Sequence, residues 1–252
     1  MGFESKNSTR NLELTQSRFI LKFLRYHNPD GSSCPTEKWC PFNWYRTSGD
    51  INNGLMSWFD NLQTTIKFQD KDHPLSVPSC WAYPDMMEIG RIKGGNVTWS
   101  RAHFGAWCVV SAPLIIGMDI TDTKTLSTVI PYLLNPEAIA VNQNWAGHPG
   151  RLVSTLASIQ VWVKPMPKEV SVWKVDKCFN ETICSLAVYV VNPTQKNSGM
   201  SIPIDELGLG VDVKIAGLRD IWERKDLNDI TDGKLTVGVS PMDSTFLLLT
   251  AK

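Results

Sequence analysis

Two short segments carry the residues best suited to chemistry. The first, Tyr45-Arg46-Thr47-Ser48-Gly49-Asp50-Ile51, sets a carboxylate at the end of an extended stretch, with a permanent cation four residues before it. The second, Trp81-Ala82-Tyr83-Pro84-Asp85-Met86, sets another carboxylate beside a Trp and a Pro. Aspartates framed by aromatic and Pro/Gly-rich backbone suit a sugar site, because sugars stack on aromatic faces and glycosidic bonds are cleaved by carboxylate pairs. The same residues equally suit a structural ion pair between Arg46 and Asp50 that caps a strand, since ion-pair networks perturb carboxylates as active sites do. Spacing alone leaves both readings open. His27, His73, His103 and His148 are scattered with no Ser or Cys nucleophile setting near them, which argues against a triad. Gly94-Gly95 follows no strand-to-helix phosphate pattern and reads as a turn.

The elements that must position these residues fall into two stretches. Phe19 to Leu24 is a short apolar, strand-like run, and Gly54 to Phe68 carries Leu55, Trp58, Phe59, Leu62 and Ile66 as one helical stripe. Thr98 is the expected N-cap of a helix running to about Ser111, with His103, Ala106, Trp107 and Val110 on one face. Pro113 ends it, and Leu114 to Ile120 reads as a continuous apolar strand covered on both faces. Thr123 to Leu134 is a further expected helix, followed by Ala138-Ile139-Ala140-Val141 as a buried strand. Alternation of this kind indicates βα units. The segment Asn144 to Gly150 has no periodicity, and from Arg151 the chain becomes short alternating strands such as Gln160–Val163, Leu186–Val191 and Thr245–Thr250. The expected organisation is an α/β region over 1–150 and an antiparallel β-sandwich over 151–252. Trp162 and Trp173 read as core residues of the second.

Composition narrows the functional classes. The 252 residues carry 25 basic and 25 acidic side chains, a balance that favours neither nucleic acid nor an anionic membrane as partner. No apolar run is long enough to span a bilayer, and Met1 to Gln16 lacks the apolar core of a signal peptide. Asn7, Asn96 and Asn180 each begin an Asn-x-Thr glycosylation sequon. Cys34/Cys40 and Cys178/Cys184 are close pairs and candidate disulfides, and Cys108 lies in an apolar helical segment as an inert core thiol. Neither pair has the pattern of a metal site. Cysteine pairs with sequons lean towards a secretory-route protein.

Taken in order, four segments carry a resemblance. They are Tyr45 to Ile51, Trp81-x-x-Pro84-Asp85-Met86-Met87-Glu88-Ile89-Gly90, Ala112 to Asp119 and Ala138 to Gln143. Together they resemble the second half of the α-galactosidases (melibiases) of glycoside hydrolase family 27, over about residues 40 to 165 and more weakly to the end. The resemblance implies the second half of a (β/α)8 TIM barrel followed by the antiparallel β-domain. It implies retaining hydrolysis of terminal α-galactosides, or of α-N-acetylgalactosaminides, without metal or cofactor. By position Asp50 would be the general acid/base and Arg46 the cation contacting the sugar. Asp85 and Met86 would form the pocket wall, with Asp85 helping to hold the arginine, and Trp81 would belong to the same loop. A full-length relative would be secreted or lysosomal/vacuolar, and a possible homodimer.

The pattern is incomplete. The family's nucleophile is an Asp preceded by Lys and an aromatic residue. The closest local match, Lys22-Phe23-Leu24, would put Leu24 there or could equally be the following strand, and under either alignment no nucleophilic Asp appears. An adjacent arginine favours the charged carboxylate, so an acid/base at Asp50 needs the negative charge of a second carboxylate to recover its proton. A complete barrel takes about 250 residues, so this chain is expected to begin roughly halfway round one. Trp-Asn-Asp-Pro-Asp of the family becomes Trp81-Ala82-Tyr83-Pro84-Asp85, and Asn-Gln-Asp becomes Asn142-Gln143-Asn144. Three functional expectations follow: an enzyme seen as a partial chain and inactive alone, a non-catalytic pseudo-enzyme or carbohydrate-binding remnant, or a site in which Asp50 and Asp85 work as the pair.

Overall fold

The computed structural model describes residues 35–209, 215–227, 230 and 233–251. The expected strand Phe19–Leu24, the Lys22-Phe23-Leu24 match, His27, Cys34 and the Asn7 sequon lie outside the described residues. Strands β1 (Trp44–Arg46) and β2 (Trp81–Tyr83) pair in parallel, with Arg46 opposite Tyr83. Their connection carries helix α1 (Ser57–Gln63) and a 3-10 turn over Ile66–Phe68, the crossover a parallel pair requires. Parallel pairing also brings the N-terminal flanks of both strands together, where Trp81 N donates to Asn43 O at 2.9 Å. Cys40 is therefore bridged to Cys80, not to Cys34. Proximity in sequence is overruled here by strand topology. Cys178 and Cys184 are bridged to each other.

Helix α2 (Val97–Val109) is buried on almost every side. Its N-cap is Asn96 rather than Thr98: the Asn96 side chain accepts from Trp99 N at 2.8 Å, and Thr98 donates its hydroxyl to that same oxygen. The apolar run after Pro113 is not a strand to Ile120. Only Ile116 forms a parallel bridge, to Met87, and Asp119 closes a turn by accepting from both Thr121 N and Thr121 Oγ1. Helix α3 spans Thr123–Leu133. The expected strand at Ala138–Val141 is instead part of helix α4 (Pro136–Gln143). Asn135 caps Glu137 N and Ala138 N, and Pro136 enters at the first turn, a start signal that outweighs four apolar residues in a row.

From Arg151 the chain is antiparallel. The strands are β3 (Arg151–Leu156), β4 (Ile159–Met166), β5 (Glu169–Val170), β6 (Trp173–Lys174), β7 (Ser185–Asn192), β8 (Ser198–Pro203), β9 (Ile215–Asp220), β10 (Lys225–Leu227), β11 (Lys234–Val239) and β12 (Asp243–Ala251). Six of them form one sheet in the order β10-β9-β12-β7-β4-β3, and β8 pairs with β11 in a separate ribbon. Alternate residues of the sheet enter two cores. Trp162, Tyr189, Phe246 and Leu248 pack with the helices, while Val161, Val188, Leu247 and Leu249 pack with the ribbon. Every residue of β4 and β7 is buried for this reason. The β-region is thus an unequal pair of antiparallel sheets: the two-stranded ribbon covers one face of the six-stranded sheet and α2 covers the other.

The join between α2 and the sheet is close. A Cβ at Gly105 would come within 2.7 Å of the Tyr189 and Trp222 rings, so only glycine admits them. Gly150, at φ +105°, opens β3 where a Cβ would meet Val109 O at 1.8 Å. Arg101 donates twice to Asp243 at 2.9 and 3.0 Å, and Tyr189 Oη donates to Ala102 O at 2.6 Å. Lys164 is fully buried and ends α4, donating to Val141 O and Asn142 O. Burial pulls its ammonium down to about 7, whereas the two helix-end carbonyls act in the opposite sense. Cys108 is a free, buried thiol whose ionisation burial pushes up.

His103 sits in this same core, stacked on Trp58 at 5.0 Å with Trp107 at 4.2 Å, and neither ring nitrogen has a partner. Burial holds its pKa well below the usual histidine value. The unfolded chain therefore takes up a proton near pH 6.5 that the folded chain refuses. Stability falls as pH drops below that point, by up to about 1.4 kcal/mol per pH unit for each such group. His148, whose pKa burial also lowers, adds in the same sense. Urea midpoints between pH 5 and 7 should drop with acid, and His103→Phe should flatten that slope by about one proton's worth.

Candidate active site

Arg46 ends β1, and the chain then turns through Ser48-Gly49-Asp50 while Thr47 N donates to Tyr83 O at 3.1 Å. This turn folds the guanidinium back over its own loop. Arg46 Nη2 lies 2.7 Å from Gly49 O, 3.1 Å from Asp50 Oδ1 and 2.8 Å from Asp85 Oδ2. All the described polar contacts of Arg46 fall on Nη2, the side chain is part-exposed, and its guanidinium carbon lies 6.0 Å from the Tyr83 ring centroid. The two carboxylates differ in setting: the Asp50 side chain is 98% exposed and that of Asp85 is 9% exposed.

Asp85 is held from four sides. Ile51 N donates to Oδ2 at 2.9 Å, Met86 N donates to Oδ1 at 2.8 Å, and Trp107 Nε1 donates to the Asp85 carbonyl at 2.8 Å. The fourth contact is Arg46. Its backbone has φ +86°, a left-handed conformation that Asp tolerates better than most residues. Asn61 Nδ2 secures the preceding residue through Pro84 O at 3.0 Å. With both oxygens engaged, Asp85 is a holder of Arg46 rather than a free nucleophile. Asp50 is the exposed carboxylate, touched by Arg46 through Oδ1 alone among the described contacts.

Tyr83 packs against Trp44 at 4.7 Å, and its phenol is pushed up to about 12, first by burial and then by the Asp85 charge. Glu88, three residues beyond Asp85, is buried, and burial raises its carboxyl while Arg91 works against the rise. Met86 packs on Gly117, where a Cβ would come 2.7 Å from its sulfur. Trp81 lies at the far end of β2 from Asp85. It meets Trp145 edge-on at 5.6 Å and lines a cavity of about 260 Å³ with Trp44, Leu114 and Asn142. The structure thus gathers Arg46, Asp50 and Asp85 at one point and keeps Met86 beside them, but it does not bring Trp81 there: Trp81 starts β2 and lines a separate cavity that none of these four residues lines. The supporting Trp107 and Asn61 were missed from sequence. The one available signal was that a buried indole N–H needs an acceptor.

Comparison with known proteins bears on this geometry. A family model described as Alpha galactosidase A matches residues 24–144. Alpha-galactosidase 3 of Arabidopsis thaliana is 28% identical over 213 residues, which cover 82% of this chain and 43% of that protein. The chain is α-galactosidase-like, related to glycoside hydrolase family 27. Human alpha-N-acetylgalactosaminidase is 33% identical over 131 residues, covering 51% of this α-galactosidase-like chain and 31% of the human protein. The solved alpha-galactosidase I of Mortierella vinacea superposes with a TM-score of 0.65 at 19% identity, over 84% of this chain and 55% of that one, a likeness of fold. The chain spans less than half the length of the plant relatives it matches, 43%, 44% and 40% for three of them.

Asp85→Asn tests the holder role, because asparagine accepts the same left-handed backbone while removing the charge and turning one of the two accepting oxygens into a donor. Breaking a fully buried pair costs about 3–5 kcal/mol. The part-exposed guanidinium reduces this to about 2–3 kcal/mol of stability in urea unfolding. Trp107→Phe should cost about 1 kcal/mol through its lost hydrogen bond, and Asp50→Asn should be the mildest of the three.

Proposed function

We propose that the Arg46–Asp50–Asp85 cluster is the acid/base side of a retaining glycosidase site for terminal α-D-galactosyl groups. In this reading residues 1–150 belong to the second half of a (β/α)8 barrel and 151–252 to its C-terminal β-domain. The observation that carries it is Arg46 held between a buried and an exposed aspartate just past the C-terminal ends of two parallel strands, where barrel enzymes keep their chemistry. Asp50 would protonate the leaving oxygen and later deprotonate water. The part-exposed guanidinium of Arg46 would bind sugar hydroxyls, with Asp85 and Met86 as wall.

A retaining mechanism needs a second carboxyl about 5–5.5 Å from the first, free to attack the anomeric carbon. Asp85 does not meet the second condition, since Ile51 N, Met86 N and Arg46 occupy its oxygens. Leu24 stands where the sequence match would put the nucleophile. The 252-residue chain is therefore a sugar-binding half-site without turnover of its own. Similarity to human alpha-N-acetylgalactosaminidase supports the N-acetylamino sugar as the second candidate ligand. Two disulfides support a secreted or vacuolar setting.

The test is calorimetric binding of galactose and N-acetylgalactosamine, together with hydrolysis of their nitrophenyl α-glycosides, by the whole chain. The expected result is binding of one sugar, its loss in Arg46→Ala, and no hydrolysis. Hydrolysis that Asp50→Asn and Asp85→Asn each abolish would show the two aspartates to be the working pair. Neither binding nor hydrolysis would remove the sugar-site reading.

A further inference from the structure

The loop between β6 and β7 combines a sequon, a disulfide and a closed turn. Asn180-Glu181-Thr182 stands at its tip, exposed, inside the ring closed by Cys178 and Cys184. Asn180 Oδ1 accepts three hydrogen bonds, from Thr182 N at 3.0 Å, Thr182 Oγ1 at 3.2 Å and Ile183 N at 2.7 Å. The backbone closes the same turn, with Phe179 N donating to Ile183 O at 2.7 Å and Cys184 N donating to Met166 O at 2.9 Å. Phe179 packs against the ribbon-side core and anchors the ring to the body of the protein. Every described bond of the Asn180 side chain uses the oxygen, none uses Nδ2, and the residue is exposed.

We propose that Asn180 is an N-glycan attachment site, and that the folded hairpin accepts the glycan without losing a hydrogen bond. The amide nitrogen would attack the anomeric carbon of a lipid-linked oligosaccharide diphosphate. A C–N bond forms and the C–O bond to the diphosphate breaks, with the lipid diphosphate leaving. One amide proton passes to a base of the transferase. Substitution at Nδ2 leaves Oδ1 an acceptor, so the three bonds that hold the turn persist. The turn at the tip closes through bonds within residues 178–184, while Cys184 N to Met166 O and the packing of Phe179 tie it to the sheet. The Asn96 sequon differs: its oxygen caps α2, and the Thr98 hydroxyl also reaches Met242 O at 3.0 Å, across the helix–sheet join.

The proposal rests on the secretory setting of the preceding reading, and the experiment separates the two. The full chain is expressed behind a cleavable secretion leader in eukaryotic cells, with Asn7→Gln and Asn96→Asp so that Asn180 keeps the one intact sequon. Aspartate at position 96 retains the helix cap. The expected product is secreted with both disulfides closed and a mass increase removed by amide-cleaving glycosidase. In heavy-oxygen water that release should convert Asn180 to labelled Asp. Thr182→Ala should abolish the increase and Thr182→Ser should retain it. A secreted, disulfide-closed product without glycan overturns the proposal. So does a glycosylated product whose Cys178–Cys184 bridge is open. Failure to be secreted by the untagged natural protein bears on the setting alone.

Discussion

The bond between Asp85 and Arg46 is the constraint on which the site depends. Arg46 is anchored on one strand and Asp85 follows the next, so their 2.8 Å contact fixes the two strand ends relative to each other. The carboxylate would be costly to bury alone, and the backbone amides of Ile51 and Met86 supply the remaining hydrogen bonds its charge demands. The strained backbone at Asp85 is maintained by this over-determination. What the arrangement yields is a part-exposed arginine held in place, beside a carboxylate that the fold leaves in water.

That knot is coupled to the β-region through α2. Trp107 ties the Asp85 carbonyl to the helix, while Gly105 lets the sheet rings approach the same helix closely. Asn142 Nδ2 adds a second tie, donating to Trp107 O at 3.1 Å and Ala112 O at 2.9 Å. Lys164, on strand β4, holds the end of α4 that carries Asn142. The helices and sheet share one continuous core, so the β-region serves as the floor on which the site's supporting helix rests.

Much of this was legible in the residues themselves. Asp50, Arg46 and Asp85 stood out as charges framed by glycine, proline and aromatic residues, with an Arg46–Asp50 strand-end ion pair equally open; that the three meet at one point came from the fold. The strands at 160–163, 186–191 and 245–250 were legible from β-branched runs between turn residues. What stayed hidden depended on the third dimension. Ala138–Val141 is too short for periodicity to separate strand from helix, and the Asn135-Pro136 start decided it. Cys40 found Cys80 because parallel strands align their starts, which spacing along the chain does not reveal. The sandwich expectation holds on one face, where the β8–β11 pair covers the six-stranded sheet. That α2 covers the other face stayed hidden, because a strand buried on both faces looks the same in sequence whether its second cover is a sheet or a helix.

The most direct test of the account is a double-mutant cycle on stability, with Arg46→Met and Asp85→Asn singly and together. A parallel cycle pairs Arg46→Met with Asp50→Asn. A desolvated, multiply bonded pair predicts a coupling of about 1–3 kcal/mol between Arg46 and Asp85. The coupling of Arg46 with exposed Asp50 should be clearly smaller. Near-zero coupling between Arg46 and Asp85, or one no larger than that with Asp50, would contradict the claim that the buried aspartate organises the site.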